Sequence, residues 1–324
     1  MQTTAMPRFQ RLALIGCGLM GGSFALAARQ AGLVQTIVGF SASEKTRQRA
    51  RELRVIDQAC ASVAEAVRGA DLVLLAVPVG AMRDSFAAMA PALSAQTLLM
   101  DVGSTKCDVI AAAVATLGDK LSCFVPAHPI AGKEVAGIDH ADARLYQDRR
   151  TILTPLSSNS MRHTKLAHDI WSALGSHVNT MTAADHDQTF AAVSHLPHLL
   201  AFAAVHALTT HPQGADYLDM AGPGFRDFPA SPPATQRCGV TSCAPTAPRC
   251  WPNWRTFAPH CPSLKPPSNK ATQQACSNSF SKPAMCARAG RCKRATADAK
   301  PDFFPSLVCV VLSTMWIGSI EGCH

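Results

Sequence analysis

The chain has 324 residues, of which 48% are hydrophobic and 16% charged, a composition that excludes a low-complexity or disordered chain and leaves room for two globular domains. Its formal charge of +8 is uneven: residues 1–228 carry 19 Lys/Arg against 19 Asp/Glu, and residues 229–324 carry 11 against 3. The body is neutral, which argues against a nucleic-acid or membrane partner and suits an enzyme acting on small metabolites. Cysteine divides in the same way. Cys17, Cys60, Cys107 and Cys123 are scattered through the body without paired spacing, as in a reducing compartment, and nine of the thirteen follow Phe228. The N-terminal apolar run leads into glycines with no cleavage site, so the expected location is the cytoplasm.

In chain order, Leu12 to Ile15 reads as a buried strand closed by Gly16, and the Ala-rich stretch from Ser23 to Gln30 reads as a helix. Further buried-strand candidates are Thr36 to Phe40, Asp71 to Val77 and Thr97 to Val102, each followed by a helical stretch. This alternation predicts an α/β class with a doubly wound parallel Rossmann sheet. Cys123 to Ala127 and Thr151 to Thr154 are expected to extend the same sheet. Strand signals stop near Ala183, and Asp185 to Thr210 predicts a mostly buried helix interrupted at Pro197. The domains expected are thus residues 1–182, dinucleotide-binding; 183–228, the start of an all-helical domain; and 229–324, an irregular tail.

Gly16-Cys17-Gly18-Leu19-Met20-Gly21 is a G-x-G-x-x-G set between strand and helix. Gly16 permits the tight turn, Gly18 lets the backbone approach a pyrophosphate, and Gly21 lets helix and strand pack closely, while first-turn N–H groups meet the phosphates. The expected cofactor is a nicotinamide dinucleotide held by Gly16, Gly18, Leu19, Met20, Gly21 and Ser41. Cys17 reads as a small filler rather than a nucleophile. The next strand ends Val38-Gly39-Phe40-Ser41-Ala42-Ser43 without the carboxylate that normally binds the adenine ribose. Lys45 and Arg47 stand near enough to meet a 2′-phosphate, so both NAD and NADP fit.

Three more segments are rich in reactive groups: Asp101-Val102-Gly103-Ser104-Thr105-Lys106, Pro126-Ala127-His128-Pro129-Ile130-Ala131-Gly132-Lys133-Glu134, and Val193-Ser194-His195-Leu196-Pro197-His198. With Gly18-Leu19-Met20-Gly21-Gly22-Ser23 and Gly222-Pro223-Gly224-Phe225-Arg226-Asp227, they resemble, in order, the motifs of the prephenate and arogenate dehydrogenase family over about residues 10–228. The resemblance implies oxidative decarboxylation of prephenate or arogenate with hydride transfer to NAD or NADP, no metal, and a homodimer. It assigns His128 as the base, Ser104 as the hydrogen-bond partner of the reacting hydroxyl, His195 and Arg226 as substrate-binding, and Glu134 to the pocket entrance. A neutral histidine suits proton abstraction near neutral pH, and Arg226 suits a carboxylate. His198 reads as a packed helix histidine. The alternatives are another dehydrogenase of the β-hydroxyacid type, and an inactive or nucleotide-binding homologue.

The resemblance stops at Phe228. The family continues Thr-Arg-Ile-Ala-x-Ser-x-Pro-x-Met-Trp, whereas this chain reads Pro229-Ala230-Ser231-Pro232-Pro233-Ala234-Thr235-Gln236-Arg237-Cys238-Gly239 and then gains Pro, Cys and Trp. Codons one frame back permit T-R-I-A-A-S-D-P-A-M-W-R-D-V-L over Pro229 to Cys243. The tail therefore reads as GC-rich coding sequence out of frame. It would deprive this chain of the family's dimerising helices and leave apolar surface exposed.

Overall fold

A computed structural model describes residues 9–222 and Phe225. Six parallel strands form the main sheet: β1 (Phe9–Ile15), β2 (Val34–Phe40), β3 (Gln58–Ala59), β4 (Leu72–Leu75), β5 (Leu98–Asp101) and β6 (Phe124–Val125), in the order β3-β2-β1-β4-β5-β6. The intervening helices are α1 (Leu19–Gln30), α2 (Glu44–Glu52), α3 (Val63–Val67), α4 (Met82–Met89) and α5 (Cys107–Leu117). The doubly wound sheet expected from the sequence is present, and the reason lies in the continuous apolar runs. Leu12 and Leu14 pack on one face with Phe24, Ile37 and Met100, while Ala13 and Ile15 pack on the other with Val38, Phe86 and Leu99. A strand covered on both faces has no use for alternation.

The expected extension of this sheet holds for Phe124–Val125 alone. Asn159 donates its side-chain amide to the carbonyls of Ser122 and Phe124 at 3.1 and 2.8 Å, occupying the open edge of β6. Pro126 then carries no N–H for a parallel ladder. The chain turns into a second sheet, in which β7 (Ala127–Pro129) pairs antiparallel with β8 (Arg150–Leu153), and β8 pairs parallel with β9 (His177–Thr180). Thr151 to Thr154 therefore belongs here.

Between β8 and β9, α6 (Met161–Ala173) starts at Ser160, whose hydroxyl accepts the His163 N–H. It buries Trp171 edge-on against Phe24 of α1 and Tyr146, with ring centroids 5.1 and 5.2 Å apart. The Tyr146 hydroxyl donates to the Met20 carbonyl at 2.7 Å, which ties this layer to the glycine fingerprint.

After β9 the chain is helical from Ala183 to Thr210. It comprises α7 (Ala183–Phe190), a wide π turn (Ala191–His195) and α8 (Leu196–Thr210), followed by α9 (Gly214–Asp219). Pro197 does not interrupt this helix. The π turn just before it takes up the missing hydrogen bond and the ring's clash with the preceding turn. Nor is the helix mostly buried. Leu196, Ala201 and Ala203 are covered, but Val193 and Leu200 are exposed, because little of the described chain packs on that side. The tail beyond Phe228, and its irregularity, lies outside the described residues.

Replacing Trp171 with Ala removes the side chain that joins α6 to α1, and is expected to cost roughly 3–5 kcal/mol of stability. Urea unfolding followed by circular dichroism measures it. A loss below about 1 kcal/mol would show that this contact does not hold the second layer.

Candidate active site

The loop from β1 to α1 carries the glycine fingerprint. Gly16 has φ +102°, and a Cβ there would collide with the Ala76 carbonyl at the end of β4. A Cβ at Gly21 would meet the Gly16 carbonyl, so helix and strand touch where the fingerprint demands it. Gly18 faces open space, with no atom within 4 Å of the place a Cβ would take. That opening, beside the unpaired N–H groups of the first turn of α1, fits a dinucleotide pyrophosphate. Leu19 and Met20 turn their side chains into the core, leaving their backbone to that role.

A cleft of about 520 Å³ runs past these glycines between Phe40, Ser41 and Lys45 on one side and Val77, Pro78, Gly137 and Asp139 on others. Two arginines near it behave differently. Arg47 is held away, donating to the Ser41 carbonyl at 2.5 Å with its guanidinium over the Phe40 ring at 5.7 Å. Arg49, not singled out in the sequence, lines the cleft and pairs with Asp139 at 2.6 Å. Cys17 is buried, and desolvation pushes its thiol up to about 12, so it is inert filler.

The reactive cluster lies beyond the ends of β4 and β5. His128, in the middle of β7, places Nδ1 2.8 Å from His186 Nε2 in α7, and His186 Nδ1 is 2.9 Å from Asp187 Oδ1. Asp187 also accepts the backbone N–H groups of Lys106 and Cys107 at 2.7 and 2.9 Å. Burial alone would raise the Asp187 carboxyl, but the His186 bond and the two backbone donors outweigh it and hold it below the usual range. An ionised Asp187 requires His186 to carry its proton on Nδ1, so His186 Nε2 accepts and His128 Nδ1 donates. His128 Nε2 is then left with a free lone pair.

His128 is half-buried. Desolvation, assisted by the positive side of Lys106, His186 and His195, pushes it well below 6.5 against the pull of Asp187. It is a neutral base at neutral pH. Beneath it, Lys106 is fully buried and donates to Asp101 at 2.5 Å and to the Ala127 carbonyl at 2.7 Å. Asp101 in turn accepts the Ala127 N–H at 3.0 Å, so the residue before His128 is gripped on both sides.

The structure thus gathers His128, His195, His186, Asp187 and Lys106. His195 is buried and pushed down to about 4, first by desolvation. Ser104 stands in the turn between β5 and α5, at the same end of the sheet. Glu134 is exposed in the loop after β7. His198 is exposed beside Phe202 rather than packed. Arg226 lies outside the described residues. Sequence reasoning missed His186 and Asp187, because their roles arise from contacts across 58 to 81 positions that no local spacing reveals, and it gave Lys106 no role although the residue stands in one of the reactive segments.

The family model described as prephenate dehydrogenase, nucleotide-binding domain, matches residues 24–180. The prephenate dehydrogenase dimerization domain matches residues 182–239, so the likeness runs past Phe228, where the motif resemblance stops. The chain is 42% identical over 199 residues to the cyclohexadienyl dehydrogenase of Zymomonas mobilis, covering 61% of this chain and 67% of that one. It is 31% identical over 218 residues to the prephenate dehydrogenase of Bacillus subtilis, covering 66% of this chain and 58% of that relative. Among solved structures, the prephenate dehydrogenase of Aquifex aeolicus in complex with hydroxyphenyl propionate and NAD+ superposes with a TM-score of 0.71 at 29% identity, over 85% of this chain and 93% of that one. The Synechocystis arogenate dehydrogenase superposes with a TM-score of 0.64 at 25% identity, over 82% and 93%. With its Rossmann sheet, its glycine cleft and these relatives, the chain belongs to the prephenate dehydrogenase family, NAD(P)-dependent oxidoreductases of tyrosine biosynthesis that work by oxidative decarboxylation.

Proposed function

We propose that this chain oxidises and decarboxylates prephenate or arogenate in the cytoplasm, with His128 as the base. The observation that carries this reading is the hydrogen-bonded line from Asp187 through His186 to His128, which leaves His128 Nε2 ready to take a proton. Bound NAD(P) would supply the hydride acceptor. The protein's own work is to draw the proton from the ring hydroxyl onto His128 Nε2 while hydride leaves the carbon that bears that hydroxyl. Loss of the ring carboxylate as CO2 then sends the bonding electrons through the ring to that oxygen, which takes the proton back as the ring becomes aromatic. Protonated His128 is stabilised through His186 by the buried Asp187 charge, as an orienting carboxylate does for other catalytic histidines. Ser104 is assigned to the reacting hydroxyl, His195 and Arg226 to the substrate, and Glu134 to the entrance.

The dimerization-domain match and the exposed apolar Val193 and Leu200 support a homodimer through the helical part once the family's remaining helices are restored, and the chain as written lacks them. We infer that residues 229–324 are an out-of-frame tail, with domain borders at 182/183 and 228/229. Inserting one nucleotide after codon 228 is expected to convert an aggregation-prone, weakly active or inactive chain, whose nucleotide domain still folds and binds cofactor, into a soluble active dimer. Purification of the chain as written as a fully active dimer with a protease-resistant tail would overturn that reading.

In active protein, His128→Asn is expected to lower kcat by roughly two to four orders of magnitude with nucleotide affinity little changed. Near-normal turnover would remove His128 from the chemistry. His186→Leu leaves His128 in place without its orienting partner, so kcat is expected to fall by a smaller factor and its acid limb to move.

The pH dependence has a definite sign. The neutral form of His128 acts and its folded pKa lies below 6.5, so kcat/KM is expected to stay level from about pH 8 to below about pH 6.5 and to fall only in more acid solution. His128, His186 and His195 are all lowered in the folded state, so the unfolded chain binds more protons once the pH drops through about 6.5. Folding stability is therefore lost as pH falls through that range. A thermal midpoint that rose on acidification from about pH 7.5 to about pH 5.5 would contradict the burial of these rings.

A further inference from the structure

The far end of the nucleotide cleft holds an arrangement that the catalytic cluster does not use. β2 ends at Phe40, and the three residues after it, Ser41, Ala42 and Ser43, bring no carboxylate. Lys45 and Arg49 then stand one turn apart on α2, both lining the cleft. Lys45 is exposed and has no hydrogen bond or ion pair among the described residues. Arg49 is also exposed but doubly engaged, with Nε on Asp139 at 2.6 Å and Nη1 on Glu52 at 3.2 Å. Asp139 belongs to the opposite lip, the short turn Ile138–His140, whose Ile138 packs against Gly22. The contact therefore bridges the cleft from α2 to the segment that follows His128.

We propose that Lys45 and Arg49 form a subsite for the 2′-phosphate of NADP, and that Asp139 sets the preference between NADP and NAD by holding Arg49 in an ion pair across the cleft. A ribose 2′-hydroxyl leaves the Arg49–Asp139 pair undisturbed and draws no benefit from Lys45. A dianionic phosphate gains from both cations but must compete with the Asp139 carboxylate for Arg49 and is repelled by it. Arg47, the arginine nearer to the strand end, takes no part, because the Ser41 carbonyl and the Phe40 ring already hold it. Exposed pairs of this kind are weak, so Arg49 is exchangeable between carboxylate and phosphate.

The inference rests on the dinucleotide lying in the Gly16–Gly21 cleft, and the test separates the two. Binding of NAD+, NADP+, 5′-AMP and adenosine 2′,5′-bisphosphate to the full chain is measured by calorimetry, with no turnover required. Asp139→Asn is expected to tighten NADP+ and the bisphosphate several-fold and to change NAD+ and 5′-AMP by much less. Lys45→Ala is expected to weaken the two 2′-phosphorylated ligands about tenfold more than their counterparts. Both substitutions are at exposed positions, so a melting curve matching that of the parent protein establishes that they fold. Parallel changes in phosphorylated and unphosphorylated ligands, or no change in either, overturn the gate while leaving the cleft assignment standing. Failure of all four ligands to bind, or binding unaffected by Gly18→Trp, overturns the cleft assignment and the gate with it.

Discussion

Asp187 stands in the second half of α7 with no exposed surface, and a carboxylate so placed must have every oxygen answered. The answers come from the start of α5, whose backbone N–H groups at Lys106 and Cys107 have no cap from their own segment. Asp187 thus caps a helix 80 residues away and places its negative charge on the positive end of that helix. The same oxygen that takes the Lys106 N–H takes the His186 ring proton. Docking of α7 and the proton inventory of the catalytic ring are therefore set by one group. A change that loosened α7 would also let His186 choose its other tautomer, which would turn the lone pair of His128 toward His186.

The buried Lys106–Asp101 pair does related work from below. Removing two charges from water is costly, and such a pair is weak evidence for stability by itself. Its value here is geometric, because Lys106 and Asp101 take the carbonyl and the N–H of Ala127 and so fix the strand that carries His128. It also sets the field around the rings. Lys106 opposes a proton on His128 and Asp187 favours one, and with burial added the resting base is neutral. Once a proton arrives, the nearest compensating charge is Asp187, already ionised and already hydrogen-bonded through His186.

The main sheet was legible because each of its longer strands is a run of apolar residues between turn signals, which a doubly covered strand requires. The second sheet was not. His177-Val178-Asn179-Thr180 is largely exposed and carries no apolar run, and Phe124 to Ala127 reads as one strand unless Pro126 is weighed as a break. Local sequence also could not assign partners. His128 was identifiable from its motif, but His186-Asp187 is an unremarked pair in a polar turn of helix until the fold sets it against β7. For the same reason the sequence pointed to Arg47 near the strand end, although a nearby carbonyl and ring occupy it while Arg49 faces the cleft.

The base and the nucleotide cleft are linked by chain continuity over a short stretch. From His128 the chain runs to Ile138, which packs on Gly22, to Asp139 on Arg49, to Asp142, whose N–H reaches Ser23, and to Tyr146, whose hydroxyl holds the Met20 carbonyl. Four of these five points touch α1 or α2, the helices that open beside the phosphate-binding turn and the adenosine end. Lys133 braces the same stretch internally through Asp142 at 3.0 Å. Hydride and proton leave the same carbon and oxygen of one substrate, so acceptor and base must be placed to within a fraction of an ångström of each other. A segment that bears the base at one end and is fastened along the cofactor helices over the rest meets that requirement without relying on the substrate to align the two.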